Sequence, residues 1–247
     1  MIDFIEGTPM QNIEISVVYD NNPFDQTLQP DWGFSCFIRG LDRTILFDTG
    51  GSGEILLKNL SKMGISPDEI DIIFLSHEHY DHIGGLAALL DKTANCDVCI
   101  PNFFSDDLKD MILKKNGHPV KIHEMTSLGD NAYTTGVISG WIKEQSLVLE
   151  IPKGLILLTG CAHPRIITII QTVRSYFKQD IYMVIGGFHL GAYETDELKE
   201  IIHSIREAGI IKIGPAHCSG EEARQLFFDE YQDNYLKIGA GKVIRIE

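Results

Sequence analysis

The sequence predicts an α/β fold in which two β-sheets pack face to face and helices cover the outside. Three observations lead there. Short apolar runs bounded by glycine alternate with amphipathic stretches of helical spacing. This strand-and-helix grammar occurs in both halves of the 247 residues. No Ser/Pro/Gly-rich tract separates the halves, so residues 1–247 are expected to form one domain. Such elements bury their apolar faces when two sheets stack and helices lie over them.

The first strands are read in NIEISVVYD (12–20), which alternates and is β-branched, and in DWGFSCFIRG (31–40), which carries aromatics. RTILFDTGG (43–51) is a third apolar strand, ending on Asp48 before Gly50 and Gly51. In SGEILLKNLSKMG (52–64), Ile55, Leu56, Leu60 and Met63 recur at helical spacing and Gly64 stops the helix. IDIIFLS (70–76) reads as a buried strand, and GGLAALLDK (84–92) opens a helix. CDVCIPN (96–102) is a short strand, FFSDDLKDMILKKNG (103–117) a helix, and VKIHEM (120–125) a strand. SLVLEI (146–151) and GLILLTG (154–160) pair around the turn PKG. RIITIIQTVRSYFKQ (165–179) is a helix, IYMVIGG (181–187) a strand, and TDELKEIIHSIREAG (195–209) a helix with Thr195 as its expected N-cap. IKIGPAH (211–217) is the last core strand, and YLKIGAGKVIRIE (235–247) is expected to add edge strands.

Apolar residues make up 44% and charged residues 23%, a balance that fits a folded enzyme and not a disordered chain. The net charge of -14 argues against general affinity for nucleic acid or anionic membranes, while leaving room for a local basic pocket. No run approaches the roughly 18 apolar residues of a membrane span. The opening MIDFIEGTPM has acidic residues where a secretory signal has basic ones, so a cytoplasmic protein is expected. The five cysteines are then reduced thiols. Cys96 and Cys99 form a lone C-x-x-C without the second pair a structural zinc needs, and are expected to be packing residues.

The stretch LSHEHYDHIGGL (75–86) is different in kind. It places three of the chain's 9 histidines and an aspartate at His77, His79, Asp81 and His82. They follow the carboxyl end of a strand, where ligand sites form in α/β proteins. Imidazole and carboxylate suit zinc, iron or manganese. In an extended loop, alternate side chains project to one side. His77 and His79 would face one ion, and Asp81 and His82 a neighbouring one. Gly84 and Gly85 would let the backbone turn tightly. A solvated loop whose histidines only cap and hydrogen-bond has no need of this spacing.

HEHYDHIGGL resembles the signature of the metallo-β-lactamase superfamily, H-x-H-x-D-H followed by G-G. The resemblance spans essentially the whole chain, because LFDTGG precedes it and later histidines fall in the expected order. It implies the metallo-β-lactamase four-layer αβ/βα sandwich, with a metal site on the edge between the sheets. It implies one or two divalent ions, zinc as the expected ion and iron or manganese as alternatives. The implied ligands are His77, His79, Asp81 and His82, with His163 of GCAHPR and His217 of GPAHCSG. Asp48 is implied to brace the metal loop without binding metal. Many members carry a bridging aspartate in a G-D motif. Here TGC stands in its place, so Cys161 is either a ligand or a buried structural thiol.

The same resemblance implies a hydrolase in which the ion lowers the pKa of its bound water towards ~7, supplying hydroxide. Asp81 would orient that hydroxide and take its proton. His189 in GGFHL would contact substrate or donate a proton, or hold a structural place. Arg165 would bind an anionic group, or stand as a surface charge at a helix start. A helix beginning near Gly84 would point its positive amino end at the site. His118, His123 and His203 are expected to be structural. The combination of HEHYDHIGG, GCAHPRI, GGFHL and AHCSG also resembles a branch named for 7,8-dihydropterin-6-yl-methyl-4-(β-D-ribofuranosyl)aminobenzene 5'-phosphate synthase. That chemistry joins a pterin methyl carbon to an aromatic ring carbon with loss of pyrophosphate. Two functions are therefore expected to compete: a metal-dependent hydrolase of an anionic, phosphorylated small molecule, and an alkyl transferase. In the second, Tyr80, Trp141, Phe188 and Tyr193 would hold the rings. In either, the partner is a small-molecule substrate, not nucleic acid or membrane. Nothing in the sequence speaks to oligomeric state.

Overall fold

Alternate residues of the apolar runs face two different cores, and this organises the molecule. The computed structural model describes residues 12–246, so the MIDFIEGTPM opening and Glu247 lie outside the described residues. The chain runs β1 (Ile13–Asp20), β2 (Phe34–Arg39), β3 (Ile45–Phe47), α1 (Gly53–Lys62) and β4 (Ile72–Phe74). It continues through α2 (Tyr80–Ile83), α3 (Leu86–Leu90), β5 (Asp97–Pro101), α4 (Asp106–Lys114), β6 (His118–Ile122), β7 (Glu124–Gly129) and β8 (Ala132–Gly136). Then come β9 (Leu147–Ile151), β10 (Gly154–Thr159), α5 (Ile166–Phe177), β11 (Ile181–Gly187), α6 (Thr195–Glu207), β12 (Lys212–Ala216), α7 (Glu221–Tyr231) and β13 (Val243–Ile246).

The strands form two mixed sheets, ordered β13-β1-β2-β3-β4-β5-β6 and β12-β11-β10-β9-β8-β7. Ile45, Phe47, Ile72 and Phe74 point inward to meet Leu147, Leu149, Ile156 and Leu158 of the other sheet. Their neighbours Leu46 and Ile73 point outward, under Leu56, Leu60 and Leu89 of α1 and α3. On the far side, Leu155, Leu157 and Val184 face Ile169, Ile202 and Phe227 of α5, α6 and α7. The period-two alternation thus serves two apolar faces at once, which is why these strands read as continuous hydrophobic runs. Each fully buried side chain of this size contributes roughly 1.5–3 kcal/mol. The result is the four-layer sandwich that the resemblance implies. Among the described residues no helix is long and apolar enough to cross a membrane.

Three local readings need correction. VKIHEM is not one strand: β6 ends at Ile122 in the first sheet and β7 begins at Glu124 in the second, so the chain changes sheet at His123. The N-cap of α6 is Glu194, whose carboxylate closes a capping box with Glu197, while Thr195 is the first helical residue and bonds Glu222. The helix expected near Gly84 is short: α3 begins at Leu86 with Gly85 as its N-cap, and the separate one-turn α2 already begins at Tyr80, with His79 at its amino end.

The strand directions place the site. β1, β3, β4, β10, β11 and β12 all end on one edge of the sandwich, and antiparallel β9 begins there. Asp20, Asp48, His77, Cys161, His163, His189 and His217 lie at or within a few residues of those ends, and Glu144 precedes β9. Five of the ten non-glycine residues with positive φ among the described residues sit on this edge: Asp48, Ala162, Arg165, His189 and His217. Left-handed backbone at a non-glycine residue costs roughly 1–2 kcal/mol, so strain is concentrated at this edge.

Candidate metal centre

The loop after β4 is held from behind by Asp48. Its Oδ1 accepts the Ser76 N–H at 2.7 Å, its Oδ2 accepts the Ser76 hydroxyl at 2.7 Å, and Oδ2 lies 2.6 Å from His82 Nδ1. All of this is buried, and burial pushes the Asp48 carboxyl well up against the opposing pull of its Ser76 hydrogen bonds. Gly84 and Gly85 serve close approach, not a tight turn: both have ordinary helical backbone, and a Cβ on either would overlap the Gly51 or Thr49 carbonyl. The loop is pressed against the DTGG segment because these two side chains are missing.

His77 and His79 face each other, Nε2 to Nδ1, at 3.1 Å. His163 stands over both, its ring centroid 4.7 Å from that of His77 and 4.9 Å from that of His79. One nitrogen from each of the three lies within 4.8 Å of the others. A second group, Asp81, His82 and His217, meets the same criterion. His82 Nε2 is 3.8 Å from Asp81 Oδ2, and His217 Nε2 is 3.1 Å from it. That His217 nitrogen is buried and forms no regular hydrogen bond.

In four of these five histidines the other ring nitrogen is occupied. His77 Nδ1 bonds Ser76 Oγ at 2.9 Å, His163 Nδ1 bonds Glu144 Oε2 at 3.0 Å, and His217 Nδ1 bonds Asn21 Oδ1 at 2.9 Å. With His82 on Asp48, four histidines each have one nitrogen tied to an oxygen and the other turned to the centre, which is how metal-binding imidazoles are oriented. Protonation states agree. Burial lowers His77 and His79, and pushes His82 down to about 3. Burial would raise Asp81, but His217 and His82 hold it well below the usual carboxylate range. Burial would lower His217, but the Asp81 carboxylate and Cys218 raise it. His77, His79 and His82 are thus held neutral near an ionised carboxylate, the forms that bind a cation, whereas His217 is held towards its charged form by Asp81 and would release that proton to an ion.

Glu144 and the pair Asp20/Asn21 were not foreseen. Glu144 Oε1 accepts the N–H groups of Cys161 and Ala162, at 3.0 and 2.9 Å, and Oε2 accepts that of His163 at 3.1 Å. Burial would raise it, but His163 and His77 hold it well below the usual range. Asp20 accepts the His217 N–H at 3.2 Å. Cys161 is buried with its sulfur 3.2 Å from His82 Nε2, and it joins His77 and His82 in a further group of possible ligands. Cys96 and Cys99 are also buried, one in the outer core and one in the inner, so they cannot clasp one ion between them. His118, His123 and His203 are exposed and stand apart from the centre.

A cleft of about 720 Å³ opens beside the centre, lined by His163, His189, Trp141, Arg165, Tyr193 and apolar residues including Ile166 and Leu190. Arg165 is exposed at its wall. Trp141 is 74% exposed, and its ring lies 5.5 Å from His163 and 5.9 Å from His189. Of the other aromatics, Tyr193 lines the cleft and Tyr80 is 74% exposed on α2. Phe188 also borders the cleft, but it is 1% exposed and packs on Phe227 at 5.7 Å, so it belongs chiefly to the core.

Comparison with known proteins agrees with this architecture. A family model described as the metallo-beta-lactamase superfamily matches residues 31–121. A protein of Methanocaldococcus jannaschii named 7,8-dihydropterin-6-methyl-4-(beta-D-ribofuranosyl)-aminobenzene-5'-phosphate synthase is 29% identical over 252 aligned positions, covering 83% of this chain and 85% of the relative. A crystal structure described as a metal-dependent hydrolase of the beta-lactamase superfamily superimposes with a TM-score of 0.80 at 27% identity, over 95% of this chain and 99% of that one. A metallo-beta-lactamase fold protein from Bacillus subtilis gives a TM-score of 0.73 over 95% and 99% of the two chains; at 13% identity it bears on the fold alone.

Proposed function

For a chain that has the metallo-β-lactamase fold and resembles that superfamily in sequence, we propose a metal-dependent hydrolase of an anionic, phosphorylated small molecule. The observation that carries this reading is the pair of three-residue groups, His77/His79/His163 and Asp81/His82/His217, side by side at the head of a cleft. The donors suit divalent ions, zinc first and iron or manganese next. Bound there, such ions would polarise phosphoryl oxygens and lower the pKa of water.

The chain's own residues supply the rest. Asp81, ionised and fixed against His217, orients a water by accepting its hydrogen and can take its proton. Arg165, on the cleft wall, holds the anionic group. His189 extends its ring into the cleft and donates to the leaving group. Trp141 and Tyr193 hold the body of the substrate, while Ile166 and Leu190 keep water from that wall. At a net charge of -14 the occupant is a small molecule, not nucleic acid or an anionic membrane.

One observation favours a second reading. The relative named as a synthase is 29% identical over 83% of this chain. In an alkyl transfer, pyrophosphate would leave from the same centre, Trp141 would stack on a ring, and water would be excluded. A panel of phosphodiesters, pyrophosphates, thioesters and lactones, run with zinc, manganese or iron, separates the two. Turnover of a phosphorylated class supports the hydrolase. Silence across the panel, with pyrophosphate released only when a pterin diphosphate and an aromatic acceptor are both present, supports the transferase. Activity confined to uncharged lactones would defeat both.

A further inference from the structure

Cys161, His189 and Cys218 meet beside the histidine groups. One ligand atom from each lies within 4.8 Å of the other two. They follow β10, β11 and β12, three adjacent strands of the second sheet, so the sheet itself brings them together. Gly187 keeps the space open: a Cβ there would come 2.8 Å from the Cys218 sulfur and 3.3 Å from the Cys161 Cα. Nδ1 of His189 is buried without a hydrogen-bond partner, and the residue is held at φ 52. All cysteines are free, so both sulfurs are available as ligands.

Two sulfurs and an imidazole are a softer donor set than either histidine–carboxylate group. We propose that Cys161, His189 and Cys218 form a third ligand set, which binds a borderline or soft divalent ion such as zinc, cobalt or cadmium through two thiolates and one imidazole. This goes beyond the hydrolase reading, which uses neither sulfur. Binding is a ligand exchange without redox change: each thiol loses its proton to solvent, two protons per ion, and the two thiolates balance the ion's charge. Cys161 stands between this set and the next, its sulfur 3.2 Å from His82 Nε2. Ligation through one nitrogen of His189 leaves the other to donate into the cleft. The set would bias the whole centre towards thiophilic ions over manganese.

The test is titration of the full chain, stripped by chelator and kept reduced, with cobalt(II) alone. Wild-type protein is expected to show a near-ultraviolet thiolate-to-cobalt charge-transfer band in addition to the visible bands of nitrogen-ligated cobalt. Cys218→Ser should cut that band roughly in half, one thiolate of two being lost. His189→Ala should raise the cobalt concentration for half-saturation of the band by at least the roughly 10–100-fold seen for lost supporting groups. Should either variant fail to fold, wild-type protein still decides, because cobalt must protect Cys218, the more exposed of the two sulfurs, from alkylation. A full band in Cys218→Ser, or Cys218 alkylated at the same rate with and without cobalt, overturns the proposal. Visible bands with no charge-transfer band overturn it while leaving the histidine groups standing. The absence of any cobalt spectrum removes both.

Discussion

The Glu144 carboxylate and the His163 imidazole meet 3.0 Å apart, Oε2 to Nδ1, with His163 1% exposed and Glu144 fully buried. The same carboxylate gathers three consecutive N–H groups of the turn that carries Cys161 and His163. Glu144→Ala would leave these donors unpaired in the interior and release a turn strained at Ala162 and Arg165. Leaving a buried donor without its acceptor costs about 1–3 kcal/mol, more where the acceptor was a carboxylate. Urea unfolding should show a loss of that order, with Glu144→Gln intermediate. A loss under about 0.5 kcal/mol, the range of a surface substitution, would contradict the role given to Glu144.

Asp48 acts on the centre through His82 and Ser76, whereas His79 faces it directly. Asp48→Ala should weaken metal binding about 10–100-fold and leave the stoichiometry intact at saturating metal. His79→Ala should remove binding at one position and abolish turnover. Equal effects of the two substitutions on metal content would show that Asp48 is itself a ligand.

In the proposed reading Arg165, on the cleft wall, binds the anionic part of the substrate and has no part in holding metal. Arg165→Ala should raise KM for a phosphorylated substrate and leave metal content unchanged, because lost ground-state binding appears in KM. An unchanged KM would return Arg165 to the role of a surface charge at the start of α5.

The buried histidines make metal-free protein sensitive to acid. His77 is lowered by burial below the ordinary value of about 6.5 that it has when unfolded. Below that pH the unfolded chain binds a proton that the folded chain refuses, so stability falls as pH falls. Asp48, raised by burial, works in the opposite direction from the ordinary carboxylate range upward, so the comparison is with a variant. After chelation, His77→Gln should lose stability more gently between pH 6.5 and 5, by up to about 1.4 kcal/mol per pH unit. Parallel curves for the two proteins would mean that His77 is not held neutral.

Much of this was legible in the sequence because the signals were local. Runs such as RTILFDTGG and GLILLTG are apolar on both faces and end at the site edge, so strand and location could be read together. His77, His79, Asp81 and His82 lie within one loop, and LFDTGG marked Asp48. What was hidden depended on partners far away in the chain. Glu144 reads as an ordinary loop charge until the turn 17–19 residues later folds onto it. Asn21 lies 196 residues from His217. The helix α7 carries only a thin apolar stripe, Ala223, Phe227 and Tyr231, among four acidic residues, too weak a pattern to mark a helix. In the β7–β8 hairpin β7 is mostly exposed and polar, and β8, though buried, is built of Ala, Tyr, Thr and Gly, so neither strand carries an apolar pattern to announce it.

The central claim is that two histidine-rich groups on one edge of the sandwich hold divalent metal. It is tested most directly by elemental analysis of protein purified without added metal, with His79→Ala and His217→Ala prepared in parallel. The account predicts one or two divalent ions per chain in the wild type, and a lower content in each variant with the far-ultraviolet spectrum of the fold retained. Wild-type protein that carries no metal and takes up none from zinc, iron or manganese solutions would contradict it.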